Sequence, residues 1–112
     1  MMRWLLLSLL LACSALGQGA GPPDIAGPWI SSTRASCVVP PYEGLSFTIN
    51  VRDAQGRNPA SYQAQWRQSE ESGRWYFTYR IKSGEKILGS YSGGKVNLQN
   101  EKGDWSSQWT RY

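Results

Sequence analysis

Histidine is missing altogether from the 112 residues, and cysteine occurs only twice. Without histidine there is no Ser-His or Cys-His nucleophile and no histidine metal site. Helical spacing is missing too: no window keeps apolar residues on a 3.6-residue period over three turns, so no substantial helix is expected. That excludes a phosphate-cradling loop leading into a helix, and Gly93-Gly94 reads as a hairpin turn. No apolar run reaches the roughly 20 residues a membrane-spanning helix needs. Glycoside hydrolysis would require two acids held about 5 to 9.5 Å apart across a cleft. Here Glu70-Glu71, Glu85, Glu101 and Asp104 all fall in or beside expected turns and read as solvated. Catalysis is therefore not expected, nor is a metal or any other cofactor.

What is present begins with an export signal. Met1 to Arg3 give a short positive start, Trp4 to Ala12 form an almost unbroken apolar run, and Ala15-Leu16-Gly17 places small residues at the two positions a signal peptidase reads. Residues 1–17 are expected to be a signal peptide, Gln18 the first mature residue, and the protein secreted. Leu10-Leu11-Ala12-Cys13 offers an alternative, a bacterial lipobox that would anchor the chain through a lipidated Cys13. Loss of Arg3 with the leader takes the formal charge from +4 to +3, which tolerates an anionic partner without demanding one. Cys37 is then the one mature cysteine, and a single thiol cannot form an intrachain disulfide. It reads as a small buried apolar residue. The sharper alternative is a homo-oligomer linked through Cys37.

Residues 18–24, "QGAGPPD", have nothing to bury and read as a flexible linker, leaving 25–112 as a single β domain. From there apolar residues recur with a period of two. Leu45, Phe47, Ile49 and Val51 alternate with Ser46, Thr48, Asn50 and Arg52; Tyr62, Ala64 and Trp66 share a face; Trp75, Phe77, Tyr79 and Ile81 share another. Weaker alternation runs through Ile87 to Ser92, Lys95 to Gln99 and Asp104 to Thr110, where Trp105, Ser107 and Trp109 coincide. With a short strand at Trp29 this gives about seven strands joined in chain order by brief turns. The expected class is all-β: an antiparallel up-and-down meander forming a closed or partly closed barrel. Inward positions are Leu45, Phe47, Ile49, Val51, Tyr62, Trp66, Trp75, Phe77, Tyr79, Ile81, Val96, Leu98, Trp105, Trp109 and Trp29. So aromatic an interior either fills the barrel or lines a site for one small ligand.

Gly27-Pro28-Trp29, in "IAGPWISS", resembles the Gly-x-Trp signature with which lipocalins, avidins and their calycin relatives enter their barrel. "FTINVRDAQG" resembles an early avidin hairpin, "SGRWYFTYRIK" followed by "SYSGGKV" the middle strands of odorant-binding lipocalins, and "GDWSSQW" the approach to the last avidin strand. The resemblance spans about half of the mature chain. It implies that Trp29 closes the floor of a barrel that binds a small apolar or amphipathic ligand. Of the avidin polar set only Ser31, just beyond the tryptophan, carries over. The candidate ligand-binding residues are Trp29, Ser31, Phe47, Trp66, Trp75, Phe77, Tyr79, Trp105 and Trp109.

Two other partner classes compete. Exposed tryptophan and tyrosine faces would suit a carbohydrate, and an exposed sheet face or edge would suit another protein. Nucleic acid is not expected. "RWYFTYRIK" interleaves bases with rings, but on a strand Trp75, Phe77 and Tyr79 point one way while Arg74, Arg80 and Lys82 point the other. The exposure of Trp66, Trp105 and Trp109 discriminates: buried and lining a void favours a small-molecule binder, solvent-facing in a row favours sugar or protein.

Overall fold

A computed structural model describes residues 21–112. The expected signal peptide, Cys13 and residues 18–20 of the linker lie outside the described residues. Eight strands follow in order: β1 (Gly27–Ser31), β2 (Ser36–Val39), β3 (Ser46–Arg52), β4 (Ala60–Gln68), β5 (Trp75–Arg80), β6 (Lys86–Ser92), β7 (Lys95–Asn100) and β8 (Ser106–Arg111). Each pairs antiparallel with its neighbour in sequence, and β8 returns to β1 through Trp29↔Arg111, Ile30↔Thr110 and Ser31↔Trp109. The barrel is closed. Closure supplies partners for backbone groups that an open meander would leave exposed along its two edge strands.

The strand missing from the sequence reading is β2. Cys37, Val38 and Val39 are three consecutive apolar residues followed by Pro40-Pro41, so the alternation that marks the other strands is hidden there. In the fold Cys37 and Val39 point inward while Val38 stays exposed. Two other expectations need correcting. Leu45 is 43% exposed, because β3 starts one residue later and Leu45 contributes its carbonyl, which accepts the Trp66 N–H at 2.7 Å. Trp105 is also 43% exposed, because it precedes β8 and stands on the rim. The linker is partly docked: the Pro23 carbonyl accepts the Tyr42 hydroxyl at 2.9 Å, so the chain is tied to the barrel ahead of Ile25.

The remaining alternation holds. Trp29, Phe47, Ile49, Trp66, Phe77, Val96, Leu98 and Trp109 are buried inside, with Val51, Tyr62, Trp75 and Ile81 packed against them at partial exposure. Outside, registered pairs are polar: Gln63 donates to Thr48, Ser61 to Asn50, and Gln108 to Asn97. Such cross-strand pairs help hold the register that puts the rings inside.

Cys37 pairs with Trp29 on one side and Val51 on the other, and among the described residues it is a free, buried thiol. Burial pushes its pKa up to about 11 from 9.0. Reaction of a thiol requires the thiolate and access to it, and the folded barrel supplies neither at neutral pH. A thiol reagent at pH 8 is therefore expected to spare the folded protein and to label Cys37 in denaturant. The same shift carries a pH dependence: the neutral thiol is favoured by folding, so this stability is fully present below about pH 9 and declines as pH rises toward about 11. Burial moves Tyr79 in the same direction and deepens the alkaline loss. A denaturation midpoint that stays flat or rises between pH 9 and 11 would contradict this.

Candidate functional site

The two ends of the barrel are built differently. At one end the chain enters at Ile25 and leaves after Arg111, and aromatic rings fill the space between. Trp29 is fully buried, and its indole N–H donates to the Ile25 carbonyl at 2.9 Å. Its ring centroid lies 6.3 Å from those of both Trp109 and Tyr91. The Arg111 guanidinium sits 3.9 Å above the Trp29 ring centroid while Nη1 donates to the Ala26 carbonyl at 2.9 Å. Gly27 makes that placement possible: its φ is +119°, and a Cβ there would meet Arg111 Nη1 at 2.7 Å.

Tyr42, which the alternation gave no reason to single out, finishes this floor. Its ring stacks on Phe47 at 5.0 Å, and its hydroxyl accepts both the Ile25 N–H and the Trp66 indole N–H at 3.2 Å. Phe77 forms the hub above it, with centroids 5.2 Å from Phe47, 5.1 Å from Trp66, 6.3 Å from Trp109 and 6.2 Å from Tyr79. Five of the nine candidates, Trp29, Phe47, Trp66, Phe77 and Trp109, are thus brought together as packing. Trp75, at the start of β5, is half-buried and packs against this core. Ser31 is buried, but its hydroxyl is taken up by the β1–β2 turn: it accepts from Thr33 N at 3.2 Å and Ala35 N at 3.0 Å and bonds the Thr33 hydroxyl at 2.8 Å.

The opposite end stays open. A cavity of about 440 Å³ is lined by Tyr79, Ile81, Ile87, Asn100 and Trp105, with Glu85 and Asp104 at its rim. Its back wall is one row of the sheet, because Tyr79 pairs with Ile87 and Ile87 with Asn100. The Tyr62 ring lies beside that of Tyr79, tilted by 37° with centroids 5.5 Å apart. The rim consists of two hairpin turns. One, Ile81 to Glu85, is closed by Ile81 N–H to the Glu85 carbonyl at 3.1 Å; the other, Asn100 to Trp105, by Asn100 N–H to the Trp105 carbonyl at 3.2 Å.

Asn100 joins the two turns. Its side-chain amide donates to Glu85 Oε2 at 2.8 Å and to Asp104 Oδ1 at 2.5 Å, and its Oδ1 accepts the Trp105 N–H at 3.1 Å. It is 3% exposed. Glu85 and Asp104 are therefore held in place rather than merely solvated at turn tips. Sequence reasoning missed Asn100, although a signal was there: the residue continues the inward face of Val96 and Leu98, and a polar residue at an inward position is informative. Comparison with protein-family models, with curated proteins and with solved structures finds no match for this chain.

Proposed function

We propose that the chain is a secreted, non-enzymatic binding protein that takes a small amphipathic ligand in the barrel mouth opposite Trp29. The observation that carries this is the asymmetry of the barrel: packed with rings at the Trp29 end, and opening at the other into a cavity of about 440 Å³ with apolar walls and a few oriented polar groups. Such a volume lies within the roughly 300 to 1,000 Å³ of small-molecule sites, whose apolar walls and sparse polar groups it shares. Calycin kinship fits the same division, with Trp29 as floor and the mouth as entrance. Within this reading Tyr79 and Trp105 touch the ligand, the Phe77 cluster forms the floor beneath it, and Trp75 and Ser31 serve the scaffold.

The test is native mass spectrometry of naturally secreted protein, combined with titration of a neutral aryl alcohol monitored by tryptophan fluorescence. A retained small molecule is expected, with saturable binding that Trp105→Ala weakens at least tenfold, about 1.4 kcal/mol. Trp105 is a rim residue, so the variant's melting temperature should stay close to the parent's. Saturable binding that is untouched by Trp105→Ala would move the site elsewhere.

A second reading has its own observation. Between β5, β6 and β7 the outer surface carries a groove of about 310 Å³ lined by Tyr76, Leu88, Ser90, Asn97 and Gln99. A ring edge beside amides and a hydroxyl suits a sugar. Binding of oligosaccharides that Tyr76→Ala abolishes and Trp105→Ala spares would favour it.

A further inference from the structure

We propose that the mouth end of the barrel is a docking face for an anionic lipid bilayer, its four turns meeting the headgroups and Trp105 entering the interface. Docking at this face is independent of what the cavity holds. In an up-and-down barrel the turns that follow odd-numbered strands gather at one end, here the end with the cavity. Arg34 lies in the β1–β2 turn, and Arg52 and Arg57 belong to the β3–β4 turn. Arg80, Lys82 and Lys86 belong to the β5–β6 turn, and Lys102 lies in the β7–β8 turn. Against these seven bases stand four acids, Asp53, Glu85, Glu101 and Asp104. The opposite end is balanced, with Arg67, Arg74, Lys95 and Arg111 against Asp24, Glu43, Glu70 and Glu71. A charge of +3 spread evenly would single out no partner, but here all of it sits on one end of the barrel.

The two signs are also held differently. Asp53 accepts the backbone N–H groups of Gln55 and Arg57 and the side-chain amide of Asn58, while the Asn100 amide donates to both Glu85 and Asp104. Those three acids are tied back into the structure. Of the seven bases, all but Lys86 are exposed. Arg52 and Arg80 donate to the Gly56 carbonyl at 3.2 Å and the Gly84 carbonyl at 2.7 Å, neutral acceptors that leave the positive charge uncompensated. Arg80 also stands directly across from Lys86 in the β5–β6 ladder, and Lys102 joins them in an outer cleft of about 500 Å³. Glu85 and Glu101 share that cleft, which keeps a surplus of one positive charge. Like charges directly opposite each other destabilise a strand pair, and an anionic headgroup over the cleft relieves the repulsion.

Shape and Trp105 select a bilayer among anionic partners. Four turns around one end of a closed barrel form a rim, so a planar surface meets all of them together, whereas one polysaccharide chain crosses only part of the ring. Trp105 is exposed on that rim, with half-buried Ile81 beside it in the lining of the mouth. An indole next to basic side chains suits a lipid interface, where the ring reaches the apolar boundary and the bases stay among the anionic headgroups. A sulfated polysaccharide satisfies the bases and offers the ring no apolar phase.

Flotation of the full mature chain with vesicles tests the assignment at low salt, using phosphatidylcholine alone and about three parts phosphatidylcholine to one of phosphatidylserine. Binding is expected only to the phosphatidylserine vesicles, with a blue shift of tryptophan emission that Trp105→Phe diminishes, and raised salt should release the protein. Two double variants of equal charge separate a docking face from bulk attraction: Lys82→Glu/Lys102→Glu at the mouth and Arg67→Glu/Lys95→Glu at the far end. Each takes the mature chain from +3 to −1. With about fivefold in affinity for each base near the surface, the mouth variant is expected to lose at least tenfold and the far-end variant no more than about threefold. Circular dichroism verifies that both are folded. Equal losses in the two variants overturn the docking face, as does a folded parent that ignores phosphatidylserine vesicles. Capture by a sulfated polysaccharide without vesicle binding overturns it in favour of that polymer. None of these outcomes bears on the small-molecule reading of the cavity, which is tested by retained ligand and by titration.

Discussion

Replacing Trp29 by alanine is expected to cost about 3 to 5 kcal/mol, the range for emptying a buried aromatic site. Out of the roughly 5 to 15 kcal/mol that holds a domain folded, that is enough to leave the variant poorly folded or melting far below the parent. Three losses coincide. The fully buried indole leaves a void between Trp109 and Tyr91; its N–H no longer satisfies the Ile25 carbonyl; and Arg111 loses the ring face it covers. Ile30 is the control. It lies on the same strand, half-exposed on the opposite face, so Ile30→Ala should be much milder. Thermal unfolding of both variants beside the parent decides the matter, and a Trp29→Ala protein that melts with the parent would remove Trp29 from the floor.

The second large effect comes from adding one methyl group. Gly89 stands directly across from Phe77, and a Cβ there would lie 2.2 to 2.6 Å from three atoms of the phenyl ring. The backbone of Gly89 does not require glycine; the space does. The ring cannot step aside, because Phe47, Trp66, Tyr79 and Trp109 surround it. Overpacking of a filled core typically costs about 1 to 3 kcal/mol and sometimes more. Gly89→Ala is expected at or above the top of that range, since the obstruction lies at the centre of the aromatic cluster. The double variant Gly89→Ala/Phe77→Leu should be less damaging than the two single effects added together, because the smaller side chain gives back the space the methyl takes. Strict additivity in chemical denaturation would place the damage of Gly89→Ala somewhere other than against Phe77.

Much of this barrel is legible from residues two apart. Phe47-Ile49, Ala64-Trp66, Phe77-Tyr79 and Val96-Leu98 declare their inward faces in the alternation itself, and the turns between them are marked by Gly56, Gly84, Gly93-Gly94 and Gly103. The misplacements fall where local pattern and local environment separate. At Cys37-Val38-Val39 three apolar residues in a row conceal a strand, while Leu45 and Trp105 each extend an apolar alternation one position past the strand that carries it. A hydrophobic residue outside the barrel carries no mark of its own, because folded surfaces retain many apolar atoms.

The sequence by itself determined an all-β meander with an aromatic interior, because side-chain direction along a strand repeats every two residues and needs no knowledge of the partner strand. Tertiary structure alone decided closure between β1 and β8, the stacking of Tyr42 over Phe47, the fit of Phe77 onto Gly89, and the gathering of Glu85 and Asp104 on Asn100. Each of these joins residues from different strands or turns. Which of them meet depends on the register of every hairpin and on the ring the eight strands complete, and a shift of one residue in any pairing would send its side chains to the other face.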